Sequence, residues 1–89
     1  MTEERTFSIR IVDDEGYGVS GIAVSCLYSG MMHETLYTDD DGWAEFTIYH
    51  GAFLGWPYIN NIYLEDEDLL GDDTLSPDDG DTFSFVRPS

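Results

Sequence analysis

The chain has 89 residues, of which 19 are Asp or Glu and only three are Lys or Arg, so its formal net charge is −16. A chain of this length forms one domain, because it buries only roughly 60–65% of the surface that its unfolded form exposes. Its hydrophobic fraction of 42% indicates a folded domain rather than a disordered acidic segment. The scarcity of basic side chains excludes nucleic acid as a direct partner, since phosphate contacts need clustered Lys and Arg.

The charge pattern predicts a protein adapted to concentrated salt. The basic residues are Arg5, Arg10 and Arg87, and the chain contains no lysine. Ion pairs cannot neutralise such an excess of carboxylates, whereas salt shortens the screening length from about 10 Å at 0.1 M to about 3 Å at 1 M. We therefore expect salt cations at the surface. The alternative is an acidic surface that binds a basic partner or divalent cations.

The chain shows no targeting or membrane signal. Its first residues, "MTEERTFSIR", lack a basic region followed by an apolar run, and no stretch reaches the length of a membrane span. The single cysteine, Cys26, excludes an internal disulfide and fits a reducing compartment. These features predict a cytoplasmic protein that has no membrane partner.

Alternating apolar residues predict six short strands. Each predicted strand places every second side chain on one face, which is the pattern of a half-buried strand. The strands follow one another at roughly ten-residue spacing with turn residues between them, and no stretch of the sequence shows the apolar periodicity of a helix. The strands are residues 6–12, 21–28, 33–37, 43–49, 57–64 and 82–86. This order predicts an all-β fold, a small β-sandwich of six to seven strands formed by residues 1–89 as one domain.

The predicted inward residues provide one core. They are Phe7, Ile9, Ile11, Ile22, Val24, Cys26, Tyr28, Ala44, Phe46, Ile48, Ile62, Leu64, Phe83 and Phe85. Residues 65–81 are different, because more than half of them are acidic. We expect them to form a long acidic loop, with a possible short helical turn around Leu69 and Leu70.

The stretch "TDDDGWAEF", residues 38–46, combines three aspartates with a glycine before a strand. It does not fit an EF-hand loop, because with Gly42 at position 6 the first ligand position would be Tyr37. A turn explains it better, since aspartate bonds nearby backbone amides and glycine supplies a positive φ. An irregular calcium site stays open as the alternative, and its candidate ligands are Asp39, Asp40, Asp41, Asp66 and Asp68.

Two stretches together, "IVDDEGYGVSGIAV" and "YTDDDGWAEF", resemble the carboxypeptidase regulatory-like and transthyretin-like sandwich domains. The shared pattern is a strand that ends in Asp, a glycine turn, a "G-apolar-x-V" strand and then "T-D-x-x-G-x-x-x-F". Its residues here are Asp13, Gly16, Val19, Gly21, Val24, Thr38, Asp39, Gly42 and Phe46. The resemblance implies a small immunoglobulin-like or transthyretin-like sandwich, and domains of this kind usually serve other proteins as supporting or binding modules. The motif itself assigns no chemistry, because it consists of turn and core residues.

Catalytic chemistry is not indicated. The hydroxyisourate hydrolases of the same fold family need a first-strand histidine, which this chain lacks. Cys26 falls on an inward strand face, where cysteine behaves as a small apolar residue, and neither His33 nor His50 has a ligand-spaced partner. We therefore predict a protein that is not an enzyme and binds no cofactor.

Aromatic residues mark the predicted contact surface, which consists of Trp43, Tyr49, Trp56 and Tyr58. Exposed aromatics on a sandwich face can bind a protein partner or stack on sugar rings. The alternative is that the segment "HGAFLGWPY" folds over this face and buries the aromatic residues in a satellite cluster beside the core. The predicted function is thus a non-enzymatic module that binds a protein partner in high salt. The alternatives are a calcium-binding protein that uses the acidic loops and a carbohydrate-binding module.

Overall fold

The computed structural model describes residues 3–29, 32–50, 55–65, 67–70 and 73–87. Within these ranges the chain has no helix and forms seven strands in two sheets, which confirms the predicted all-β sandwich. The strands are β1 (Glu4–Val12), β2 (Ala23–Tyr28), β3 (Met32–Tyr37), β4 (Trp43–Tyr49), β5 (Ile59–Leu64), β6 (Glu67–Asp68) and β7 (Thr82–Val86). The absence of a helix in these ranges also means that none of them holds a helix long and apolar enough to cross a membrane.

The two sheets have different strand orders. The three-stranded sheet runs β4-β1-β7 and the four-stranded sheet runs β3-β2-β5-β6. All pairs are antiparallel except β1 and β7, which are parallel. Strand β3 is an edge of the four-stranded sheet and β4 is an edge of the three-stranded sheet. These two edges contact one another and together form one side of the sandwich.

The core lies between the sheets and is built from the alternating positions. Phe7 and Phe46 are directly opposite in the β1–β4 register, and their rings stack with centroids 5.5 Å apart. Fully burying one such side chain stabilises the fold by roughly 1.5–3 kcal/mol. The buried apolar residues are Phe7, Ile9, Ile11, Ile22, Val24, Cys26, Tyr28, Ala44, Phe46, Ile48, Ile59, Ile62 and Leu64. Phe83 and Phe85 are half-buried and pack against this cluster.

Strand β5 contains an irregularity that the alternation does not reveal. Tyr28 pairs with Ile59 whereas Leu27 pairs with Asn61, so Asn60 is an extra residue in β5. The bulge lets Ile59 and Ile62 both face the core, although they are three positions apart. Ile59 was absent from the predicted inward set for this reason.

The acidic segment 65–81 differs from the predicted long loop. Glu67 and Asp68 form β6 against β5, and Leu75 makes a bridge to Ile59. Pro77 is fully buried. Leu69 and Leu70 are half-buried against the core and neither is helical, so the predicted helical turn is wrong. Backbone pairing with β5 and apolar anchors thus hold part of this segment on the sandwich, despite its charge.

Candidate functional site

Thr38 anchors the stretch that precedes β4. Its side chain is buried, its Oγ1 accepts a hydrogen bond from the Ile22 amide at 2.9 Å, and it donates one to the Val19 carbonyl at 2.6 Å. Its own amide donates to the Ile22 carbonyl, and its carbonyl accepts from the Gly21 amide. Thr38 therefore ties the start of this turn to the segment that leads into β2.

Asp39 organises the turn itself. One carboxylate oxygen, Oδ1, accepts hydrogen bonds from the backbone amides of Asp41 at 2.9 Å and Trp43 at 3.0 Å. The backbone amides of Trp43 and Asp41 hold the pKa of Asp39 below its ordinary value, because they stabilise the ionised carboxylate. Gly42 supplies a φ of +88°. The turn prediction for this stretch is confirmed.

A second loop repeats this hydrogen-bond pattern. In residues 13–17, Oδ1 of Asp13 accepts from the amides of Glu15 and Tyr17, and the Gly16 amide donates to the Asp13 carbonyl. In residues 39–43 the Gly42 amide likewise donates to the Asp39 carbonyl. The sequences "DDEGY" and "DDDGW" are thus two copies of one Asp-x-x-Gly-aromatic loop, a repeat that the sequence shows but our prediction did not include.

The segment that follows the first loop packs against the second through glycine. A Cβ placed on Gly18 would lie 1.9 Å from the Asp41 carbonyl oxygen, and one on Gly42 would lie 2.4 Å from the Ile11 carbonyl oxygen. The Gly42 carbonyl accepts from the Ile11 amide at 2.8 Å. The two backbones are therefore in direct contact at Gly18 and Gly42, with no room for a side chain at either position, and we call this contact the glycine crossing.

The acidic clusters do not assemble a metal site among the described residues. No group of three or more His, Cys, Asp or Glu side chains in those ranges could hold an ion. Asp39 is committed to its turn, Asp40 and Asp41 are exposed, and Asp68 accepts from the Leu70 amide. Asp66 lies outside the described residues. The calcium alternative stays a prediction, without support from this geometry.

The predicted aromatic surface does not form one patch. Trp43 and Tyr49 occupy opposite ends of β4, six residues or about 20 Å apart. Trp43 is half-buried, and the Arg10 guanidinium lies 5.6 Å from its ring on the outer face of the three-stranded sheet. At the other end, Tyr49 and Tyr58 are exposed. Trp43 is therefore separate from the other three residues.

Trp56 belongs to the cluster at the Tyr49 end of the sandwich. It is half-buried, packs against the core, and meets the His50 ring edge-on at 5.3 Å. The Arg5 guanidinium lies 4.1 Å from its ring centroid and also forms an ion pair with Asp78 at 3.5 Å. These contacts fit the satellite-cluster alternative for Trp56. Residues 51–54 of the segment "HGAFLGWPY" lie outside the described residues.

Cys26 and the histidines do not form a catalytic group. Burial raises the pKa of the Cys26 thiol to about 12, which keeps it protonated at neutral pH. His33 is opposite Leu27 in the β2–β3 register, so it is on the other sheet face from Cys26. His50 contacts Trp56 at the end of β4. The described geometry thus pairs no nucleophile with a base.

The outer face of the four-stranded sheet carries an unexpected neutral surface. We call the outward residues of β2, β3 and β5 the neutral face, and it consists of Ala23, Ser25, Leu27, His33, Thr35, Tyr37, Asn61 and Tyr63. All eight are described residues and none is Asp or Glu. Their hydroxyl and amide groups pair with one another, Ser25 with Thr35 and Asn61 with Tyr63, each at 2.7 Å.

Carboxylates border the neutral face without entering it. Asp68 lies on the same side of the sheet on β6, opposite Tyr63. Glu65 follows β5 and forms an ion pair with Arg87 at 3.1 Å. The signal for this surface was present in the alternation of β2 and β3, but it becomes a surface only once the register places the three strands side by side.

Comparisons of this chain with protein-family models, curated proteins and solved structures found no match. The resemblance to carboxypeptidase regulatory-like and transthyretin-like domains therefore stays a prediction, which rests on the motif residues alone. In this structure those residues are the turn aspartates Asp13 and Asp39, the buried Thr38, the crossing Gly42 and the core Phe46. They account for a fold and assign no chemistry.

Proposed function

We propose that this chain is a non-enzymatic interaction module that works in concentrated salt and binds a second copy of itself through the neutral face. The observation that carries the proposal is the lack of carboxylates on eight neighbouring positions of a chain with 19 acidic residues. Two copies that each carry a net charge of −16 repel one another in most orientations. The neutral face lets two sheets meet without opposing carboxylates.

The residues of the neutral face suit a modest interface. Tyr37 is 70% exposed, and tyrosines provide contact area at low entropic cost. Eight positions are fewer than the roughly 20 residues that each side of a standard interface contributes, so the proposal implies weak association. Salt strengthens it, because screening at molar concentration removes the repulsion between the acidic loops.

Sedimentation equilibrium in about 0.1 M and about 3 M KCl, over a range of protein concentrations, tests this proposal. We expect a monomer at low salt and a concentration-dependent dimer at high salt. Leu27→Glu and Thr35→Glu each place a carboxylate on the neutral face, and each should weaken the dimer by at least about tenfold. Thr35 is exposed, so its variant keeps the test valid if Leu27→Glu does not fold.

Two further variants act on the opposite sheet. Thr82→Glu adds the same charge to the outer face of the three-stranded sheet, and dimerisation should not change. Trp43→Ser tests the aromatic surface that the sequence predicts, and it should also leave the dimer intact. A monomer under every condition, or a dimer that only Trp43→Ser disrupts, contradicts the proposed surface.

A further inference from the structure

A cavity opens on the side of the sandwich where β3 and β4 face one another. Its volume is about 180 Å³, and its lining includes Tyr28, Met32, Glu34, Ile48, Tyr49 and Pro57, together with His33 and Thr47. A cavity of about 150 Å³ has room for a benzene ring. This one therefore has room for a compact group of similar or slightly larger size.

The cavity exists because β3 does not complete the core. Met32, Glu34 and Leu36 share the side of β3 that faces the other sheet, since they are opposite the buried Tyr28, Cys26 and Val24. Leu36 packs against the core, whereas Met32 and Glu34 are exposed. A carboxylate thus occupies an inward strand position where an apolar side chain would have filled the gap.

The lining favours one class of ligand. Tyr28 and Tyr49 contribute aromatic rings, whose faces attract cations, and Glu34 adds the only carboxylate among the described lining residues. Met32, Ile48 and Pro57 supply apolar surface. Rings and a carboxylate around apolar walls attract a cation that carries alkyl groups, while the net charge of −16 opposes any anion.

We propose that the cavity between β3 and β4 binds the alkylammonium group of a small organic cation. The tyrosine rings contact the alkyl groups of the cation, and the Glu34 carboxylate balances its charge. The cavity and the neutral face share His33 at the edge of β3, but Met32 and Glu34 project from the opposite side of this strand. Neither Glu34 nor Tyr49, which the variants below change, is on the neutral face, so the cavity can be tested independently of dimerisation.

The test is a pair of NMR titrations at constant ionic strength, one with choline and one with 3,3-dimethylbutan-1-ol. The alcohol has the shape of choline with carbon in place of the charged nitrogen. We expect saturable choline binding that shifts the signals of Tyr28, Glu34 and Tyr49, roughly tenfold tighter than binding of the alcohol. Equal affinities, or no saturable shift with choline, overturn the proposal.

Matched variants locate the site. Glu34→Gln and Tyr49→Leu should each weaken choline binding by about threefold to tenfold. Glu45→Gln and Tyr17→Leu make the same changes at exposed positions outside the cavity lining, and they should leave it unchanged. If Glu45→Gln weakens binding as much as Glu34→Gln does, choline follows the general field of the protein and the cavity is not a site.

One further titration distinguishes two sources of the same group. N-acetyl-trimethyllysine amide carries the trimethylammonium group on a protein-like side chain, whereas choline is a free small molecule. Tighter binding of choline assigns the cavity to a free cation, as proposed. At least tenfold tighter binding of the lysine derivative assigns it to a modified protein side chain and overturns the free-cation assignment.

Discussion

Thr38 joins two segments of the chain through one buried hydroxyl. The Ile22 amide and the Val19 carbonyl both depend on its Oγ1, and neither group lies in a strand that could offer another partner. The residue therefore fixes the entry to β2 and the start of the turn before β4 at the same time. Sequence reasoning placed Thr38 in a turn motif, but the burial of its hydroxyl depends on a segment 16 to 19 residues away.

Replacing Thr38 with valine keeps the shape of the side chain and removes the hydroxyl. We expect a loss of about 2–4 kcal/mol in the free energy of unfolding, because a buried donor and a buried acceptor both lose their partner. Urea unfolding measures this loss. Thr82→Val makes the same change at an exposed position of β7 outside the neutral face, where the loss should stay within about 0.5 kcal/mol. Equal losses in the two variants would contradict the anchoring role.

At the scale of elements, alternation predicted β1, β2 and β4 well because each buries one face and exposes the other. It failed where that condition does not hold. The bulge at Asn60 shifts the alternation of β5, and β6 consists of two acidic residues that have no apolar signal. The neutral face and the β3–β4 cavity could not be predicted, because both depend on which strands become neighbours.

The two Asp-x-x-Gly loops allow a matched test of the glycine crossing. Gly16 and Gly42 have nearly the same φ, +89° and +88°, yet a Cβ on Gly16 meets nothing within 4 Å. Gly16→Ala should therefore lower the free energy of unfolding only by the strain of a left-handed backbone at alanine, about 1–2 kcal/mol. Gly42→Ala adds a collision with the Ile11 carbonyl and should cost at least about 2 kcal/mol more, measured by thermal unfolding. Equal costs would show that the crossing adapts without strain.

At the scale of the whole molecule, charge is concentrated in the connections. The acidic runs 13–15 and 39–41 and Glu65 lie at strand ends, while the buried residues of the described core and the neutral face contain no carboxylate. Only two ion pairs, Arg5–Asp78 and Arg87–Glu65, are present among the described residues. Both are solvent-exposed and contribute little, so the carboxylates are balanced mainly by ions from the solvent.

Thermal unfolding by circular dichroism in a KCl series measures how the stability of the fold depends on these solvent ions. We expect the Tm to rise by at least about 5 °C between about 0.1 M and about 3 M KCl, which corresponds to about 1 kcal/mol in a domain of this size. A few millimolar calcium at constant ionic strength should add nothing further. A Tm that does not change with KCl contradicts the salt adaptation. A rise in Tm with calcium would support the calcium alternative, because an ion that binds only the folded state stabilises it by mass action.

The parallel pairing of β1 and β7 has a mechanical consequence. Because the two strands run side by side in the same direction, the chain enters the sheet at one pole and leaves it at the other. Tension applied through residues 3 and 87 would pull the strands past one another. All of the hydrogen bonds of the β1–β7 ladder, together with the flanking Ser8–Asp81 and Arg87–Val12 bonds, would then bear the force simultaneously rather than open one by one. Joined end to end with other domains, this sandwich would act as a stiff link in the line of force.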